Sequence, residues 1–112
     1  MPRGDLASDT EFRHAVESLL GQLLEQLDTV ESDDIDAMMT PGNLILKFEE
    51  GSTFVLSQQT PTHELWLSAN LTAWHFVHEG GAWVERDSGE ALPGLLAHLV
   101  SGKLGMQVHL HT

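Results

Sequence analysis

The first quarter of the chain carries a helical pattern of hydrophobic residues. Between residues 12 and 27 apolar side chains recur three and four positions apart, whereas the opposite face is polar. The apolar stripe consists of Phe12, Ala15, Val16, Leu19, Leu20, Leu23, Leu24 and Leu27. Ser8 and Glu11 precede it at the spacing of a capping box, in which each side chain can bond a backbone N–H of the first turn. The pattern predicts an amphipathic helix of about five turns that begins near Ser8 and packs on another layer.

The middle of the chain alternates between apolar and polar residues, as strands with one buried face do. Six short segments follow this pattern: residues 34–39, 44–48, 53–57, 64–68, 74–78 and 82–86. Turn-forming residues lie at 41–43, 49–52 and 79–81, and Pro61 interrupts the pattern between the third and fourth segments. Because such short connections join neighbouring antiparallel strands, the pattern predicts a meander of five or six strands.

A second helical stripe lies near the C-terminus. Its apolar members are Leu92, Leu95, Leu96, Leu99 and Val100. We expect this helix to begin at residue 88 or 89 and to end near Gly102 and Gly105, with 107–110 as a short extended tail. Pro93 is tolerated because the first turn of a helix leaves its N–H groups without partners.

These elements predict an α+β fold in which two helices pack on one face of a five- to six-stranded antiparallel sheet, a two-layer sandwich. We expect a single domain over residues 1–112, with 1–7 as a loose N-terminal tail.

Charge narrows the classes of partner. The chain has 17 Asp and Glu against five Lys and Arg, a formal net charge of -12. Phosphates would be repelled, so nucleic acid and anionic membrane are excluded as partners, and cations or basic protein surfaces are favoured. There is no cysteine, no apolar run of the roughly 18 residues a membrane helix needs, and no signal-peptide pattern at the N-terminus. We therefore expect a cytoplasmic protein.

The acidic residues concentrate where the first helix gives way to the first strand. Residues 24–36 contain six carboxylates and no Lys or Arg; the six are Glu25, Asp28, Glu31, Asp33, Asp34 and Asp36. Four of them stand beyond the helix, where its macrodipole already disfavours negative charge. If the first strand lies at the sheet edge beside the helix, the carboxylates form a ridge suited to weak, water-rich binding of hard cations such as Fe, Mn, Mg or Ca. The alternative is a well-solvated acidic helix end and loop.

The histidines and the remaining motifs provide weaker evidence for a binding site than the acidic residues do. Glu11 and His14 share one helix face and are secondary candidates for assisting a cation. His75 and His78, three apart in a strand, point to opposite faces and cannot chelate together. Trp66 is predicted to face outward on its strand, either as an anchor for a partner or packed against a neighbouring loop side chain. The sequence has no phosphate-binding glycine loop, nucleophile elbow or complete EF-hand.

Three segments together resemble the frataxin family in its bacterial, CyaY-type form. They are 32–36 (SDDID), 51–55 (GSTFV) and 59–67, where Gln59-Thr60-Pro61 leads to Leu65-Trp66-Leu67. Trp74-His75-Phe76, Trp83 and the run 86–89 (RDSG) follow in the same order. The sequence departs from the family pattern at Thr29, where many members have an acid, at Met38, and at 71–73, which replace a glycine-rich turn.

The resemblance implies an iron-binding accessory protein of iron–sulfur cluster assembly rather than an enzyme. It implies weak, reversible Fe²⁺ and Fe³⁺ binding on the six carboxylates, and docking on a cysteine desulfurase near the scaffold protein. Asp33, Asp34, Asp36 and Trp66 are the implied docking residues. The implied state is a monomer, with iron-driven oligomerisation open. Two alternatives stand beside it: an electrostatic interaction module with incidental metal binding, and a ferroxidase, which would need an inward-facing Glu-x-x-His pair that the sequence lacks.

Overall fold

The computed structural model describes residues 2–112. The predicted tail includes Met1, which lies outside the described residues. Two helices and six strands follow one another as α1 (Asp9–Asp28), β1 (Ile35–Thr40), β2 (Asn43–Phe48), β3 (Thr53–Gln59), β4 (Glu64–Ala69), β5 (Thr72–Glu79), β6 (Ala82–Glu85) and α2 (Leu92–Leu104). A single 3-10 turn, Thr60–Thr62, separates β3 from β4.

The six strands form one antiparallel meander in the order β1-β2-β3-β4-β5-β6, so β1 and β6 are the edges. Cross-strand partners such as Leu46 and Phe54, or Leu65 and Phe76, share one face of the sheet. That face joins the apolar stripes of both helices in a single buried core, which includes Phe12, Leu20, Leu96 and Val100. The predicted α+β sandwich with both helices on one face is therefore confirmed.

Helix α1 begins as the sequence predicted. Ser8 is its N-cap, and its hydroxyl accepts the Glu11 N–H at 3.1 Å. The Glu11 carboxylate accepts the Ala7 N–H at 3.0 Å, so the cap satisfies donors on both sides of the helix start. Helix α1 packs against β1 and β2. Because only residues 29–34 join α1 to β1, the helix C-terminus stays near the start of that edge strand.

Helix α2 begins later than predicted. The expected start at 88 or 89 is wrong because the buried Glu85 carboxylate accepts the N–H groups of Asp87 and Ser88, both at 2.9 Å. These bonds fold the segment into a turn, and Gly89 adopts a left-handed φ of 76°. The chain then bridges back to the sheet at Ala91 before α2 starts. Gly102 lies inside α2, and Gly105, with φ 66°, provides the C-cap.

Residues 3–6 are not the loose tail that the sequence predicted. The Arg3 N–H donates to the Thr62 carbonyl at 2.8 Å, and the Asp5 N–H donates to the His78 carbonyl at 3.0 Å. The Asp5 carboxylate also pairs with His78 Nδ1 at 2.5 Å and accepts the Gly80 N–H at 2.8 Å. These bonds dock the segment beside the end of β5, because β4 starts opposite Val77 and leaves His78 free on that side. Within residues 2–112 no helix is both long and apolar enough to cross a bilayer.

Candidate metal-binding and docking surface

The six predicted carboxylates lie along one edge of the molecule, and we call them the acidic ridge. Glu25 and Asp28 stand on the last turns of α1, and Asp36 stands on β1; the other three, Glu31, Asp33 and Asp34, lie in the connection between these elements. All six are exposed. Because β1 is an edge strand and α1 packs on it, the condition for a continuous ridge is met.

The ridge carboxylates form no salt bridges in the described part of the chain. Across residues 2–112, none of the six side chains takes part in a salt bridge, and the last turn of α1 holds no basic residue. Lys47 is the cross-strand partner of Asp36, but it forms no ion pair within 4.0 Å in the described structure. Asp34 is held through its backbone, since its N–H donates to Ser32 Oγ at 3.1 Å and its carbonyl accepts the Glu49 N–H at 2.9 Å. Asp34 is thus held through its backbone, whereas its carboxylate forms no salt bridge in the described structure.

The ridge is dispersed rather than convergent. No three His, Cys, Asp or Glu side chains come together as a metal-binding group anywhere in the described part of the chain. A tight structural metal site needs converging ligands supported by surrounding hydrogen bonds. Hard cations that keep most of their water can instead be held by a row of exposed carboxylates. The arrangement therefore suits weak binding of several hydrated cations.

Glu11 and His14 are not brought to the ridge. Both are exposed near the start of α1, and the Glu11 carboxylate is already engaged in the N-terminal cap. Fourteen residues of helix separate Glu11 from Glu25, which is about 21 Å at 1.5 Å per residue. A cation held by Glu25 therefore cannot also be held by Glu11.

Trp66 faces outward on β4, as its strand pattern predicted. Its side chain is 37% exposed, whereas its neighbours Leu65 and Leu67 are buried in the core. The indole packs against His75 of β5, with ring centroids 4.8 Å apart, and its Nε1–H donates to Glu64 Oε1 at 3.2 Å. It thus combines packing on its own sheet with an accessible face. Three strand spacings, about 14 Å, separate it from β1, so a cation bound on the ridge does not contact Trp66.

Glu64 lies beside Trp66 and was not among the site residues that the sequence predicted. It is 1% exposed although it lies on the face of the sheet away from the helices, because the N-terminal segment and Arg86 cover it. Arg86 donates from a guanidinium Nη to Glu64 Oε2 at 3.0 Å, and Arg3 Nε lies 3.6 Å from the same oxygen. Burial alone would raise the pKa of Glu64. The hydrogen bonds from Trp66 and Arg86, with the charge of Arg86, outweigh burial and hold the pKa below its ordinary value of 4.5.

His63 is a second buried polar residue that the sequence did not predict. It adopts a left-handed backbone with φ 53° between the 3-10 turn and β4, and it is 3% exposed. Its ring stacks on Phe12 at 4.7 Å, and Nε2 lies 2.7 Å from Asp9 Oδ1 at the first residue of α1. The histidine therefore ties the start of α1 to the start of β4. It is a structural contact at the end of the molecule opposite to the ridge.

Comparison with known proteins identifies a family and a fold. The sequence model of the frataxin-like domain family matches residues 5–106. The structure is similar to the frataxin of Psychromonas ingrahamii, of the CyaY protein family, with a TM-score of 0.88 and 22% identity over 95% of this chain and 100% of that one. It is also similar to the trimeric frataxin of the yeast Saccharomyces cerevisiae in its ferrous complex, with a TM-score of 0.67 and 24% identity over 94% and 93% of the two chains. The yeast protein with its full-length N-terminus gives a TM-score of 0.66 and 24% identity over 94% and 86%.

Proposed function

Because this chain belongs to the frataxin-like family, as its sequence resemblance indicated, we propose that it is a cytoplasmic iron-binding accessory protein of iron–sulfur cluster assembly. The proposal assigns weak, reversible Fe²⁺ and Fe³⁺ binding to the acidic ridge. The yeast relative in a ferrous complex supports iron as the metal. The single observation that carries the proposal is the row of six exposed carboxylates at the α1–β1 edge, none of which forms a salt bridge within residues 2–112.

We further propose that the ridge docks on a cysteine desulfurase. Unpaired carboxylates on one edge of a protein with a net charge of -12 favour association with a basic surface. Asp33, Asp34, Asp36 and Trp66 are the proposed partner contacts, with the desulfurase and the scaffold protein beside it as the partners. Metal and partner would then compete for the same oxygens, so iron loading should change the affinity of docking, and docking should change the affinity for iron by the same factor.

An anaerobic Fe²⁺ titration followed by backbone amide NMR tests the iron site, with Mg²⁺ as the diamagnetic reference. Paramagnetic broadening should centre on residues 25–36. The double variant Asp33→Asn, Asp34→Asn should lose most of this broadening. The matched control Glu79→Gln, Glu90→Gln removes the same charge at exposed sites outside the ridge and should retain it. Broadening centred on histidines, or none at millimolar iron, would remove the iron-binding role. Light scattering during the same titration reports whether the monomer we propose assembles with iron.

The dispersed geometry of the ridge favours a second candidate, a docking module in which metal binding is incidental. In that case Asp33→Lys, Asp36→Lys abolishes docking on the desulfurase, whereas saturating Fe²⁺ leaves the affinity of the wild type unchanged. The iron-binding proposal requires the affinity to shift with Fe²⁺. We propose no catalytic role, and Fe²⁺ oxidation by oxygen faster than in protein-free solution would overturn that part of the proposal.

A further inference from the structure

The tip of the β4–β5 hairpin carries a leucine that the fold does not use. Asn70 and Leu71 form the turn, with φ values of 51° and 63°. The left-handed conformation crowds the Cβ of any residue except glycine, and asparagine tolerates it better than leucine does. Asn-Gly is the pair that such a two-residue turn favours. Leu71 gains no burial in return, because its relative exposure is 109%. Stability of the fold therefore does not explain a leucine at this position.

Leu71 lies at the same end of the sheet as the acidic ridge. Successive strands of the meander run in opposite directions, so the start of β1, the β2–β3 turn and the β4–β5 turn share one end. The Glu49 N–H bonds to the Asp34 carbonyl, which joins the first two of these sites directly. The turns therefore place Leu71 on the sheet end that begins at the ridge.

Lys103 of α2 connects the ridge side of this end to the hairpin tip. It borders a cleft of about 240 Å³ with Asp34, Glu49 and Glu50, and a second cleft of about 340 Å³ whose other lining residues include Asn70 and Leu99. Its Nζ lies 3.5 Å from Glu50 Oε2, so its charge is compensated within the surface. We call the region around these two clefts the sheet-end surface; Lys103 borders both clefts, and Leu71 follows Asn70 at the tip of the hairpin. The sheet-end surface therefore combines one exposed apolar side chain, Leu71, with the carboxylates of Asp34, Glu49 and Glu50.

We propose that Leu71 is an apolar anchor for the same basic partner that the acidic ridge recognises, and this inference rests on the docking proposed above. Charged groups across an interface mainly accelerate encounter, whereas buried apolar side chains set how long a complex lasts. The ridge supplies the first function, and Leu71 supplies the second. The charge of the surface selects the occupant: a second copy of a chain with net charge -12 is repelled, whereas a basic protein with an apolar pocket is complementary.

The test measures association and dissociation rates with purified cysteine desulfurase for the wild type, Leu71→Gly and Leu71→Met. Glycine removes the anchor and suits the turn, so its dissociation rate should rise about tenfold while association stays within about twofold. The salt dependence of association should be unchanged, because no charge is altered. Methionine preserves an apolar side chain and should keep the dissociation rate within about threefold of wild type. Leu71→Asn, a polar residue that tolerates this backbone, should reproduce the glycine result.

Thermal melting of the same variants separates the anchor from a structural role. Leu71→Gly should melt at or above the wild-type temperature, and a lower melting temperature would show that Leu71 serves the fold and overturn the inference. Equal dissociation rates for glycine and wild type overturn the anchor alone and leave the proposed docking intact. No binding of the wild type overturns both. A self-association of the wild type that Leu71→Gly abolishes would instead assign the anchor to a second copy and overturn the inference as stated.

Discussion

Glu64 is buried in a protein with a large excess of acids because every oxygen of its carboxylate has a partner. Trp66 donates to one oxygen, and Arg86 and Arg3 lie on the other. A buried carboxylate is tolerated only when it is paired and hydrogen-bonded in this way. The same contacts orient the indole of Trp66, which is the exposed tryptophan proposed as a partner contact. One buried side chain on β4 therefore links the N-terminal segment and the residue that follows β6 to Trp66.

Glu64→Gln should destabilise the protein by roughly 1–3 kcal/mol at about pH 7, the usual cost of leaving a buried hydrogen-bonding group without its partner. Glutamine still accepts from Trp66 but leaves Arg86 without its anion. Because the folded pKa of Glu64 lies below its ordinary value of 4.5, its contribution is complete above that pH and is lost as the pH falls through the folded pKa. Chemical denaturation of both proteins over this range should show the stability difference closing below pH 4.5.

The control for this change is Glu79→Gln, which neutralises an exposed glutamate on β5 and should alter stability by less than about 0.5 kcal/mol. A difference between wild type and Glu64→Gln that persists undiminished to about pH 3 would show that the loss comes from packing rather than from the charge.

The sequence could not show Glu64 as buried, because alternation gave only the face on which it stands. That face is open to solvent at Trp66 and closed at Glu64 by Arg3, which belongs to a segment predicted to be a loose tail. The ridge residues were identified directly, since their chemistry depends on composition and on position along two neighbouring elements. Their role as an iron site stays a prediction. His63 lacked any signal, because its contact with Asp9 spans 54 positions.

At the scale of elements, α1 organises the molecule. Its apolar stripe supplies one wall of the core, and its C-terminal turns begin the ridge. Local rules predicted this element well, because an N-cap, a 3.6-residue period and a following polar run all act within a few residues. The same rules predicted the wrong start for α2. There the hydrogen bonds to Glu85 and the bridge at Ala91 hold the chain out of the helix until Leu92, just before Pro93. The carboxylate of Glu85 reaches the backbone of the next turn, an interaction that hydrophobic periodicity does not report.

Ser8→Ala should lower the free energy of unfolding by about 1 kcal/mol, because the first turn of α1 then loses the acceptor for the Glu11 N–H. Ser8→Asp should retain most of the stability, since a carboxylate accepts the same bond and suits the positive end of the helix dipole. Urea denaturation of the three proteins measures both changes. Equal stability of Ser8→Ala and wild type would mean that Asp9 or water replaces the cap.

At the scale of the whole molecule, the residues that build the core and the acidic residues of the ridge lie in different places, although they alternate along the sequence. The core is built from one face of a six-stranded meander and two helices, and alternation with helical periodicity was sufficient to predict it. The charge of the acidic ridge, by contrast, takes part in no salt bridge that stabilises the fold of the described residues. Exposed acids collect at one edge and one end of the sheet, where the α1 dipole and the neighbouring carboxylates oppose them. A bound cation or a basic partner would reduce the electrostatic repulsion between these carboxylates.

This repulsion predicts that the protein is stabilised by neutralising its ridge. Asp28→Asn removes a negative charge from the last residue of α1 and should raise the free energy of unfolding by about 0.3–1 kcal/mol at low ionic strength. In about 1 M salt the Debye length falls to about 3 Å, so the gain should largely disappear while the wild type itself melts at a higher temperature. Mg²⁺ should raise the wild-type melting temperature more than NaCl at equal ionic strength, because a bound ion adds its own linkage term. If Asp28→Asn instead lowers the melting temperature, Asp28 must be paired in solution, and the ridge would be a structural network rather than an open surface for cations and partners.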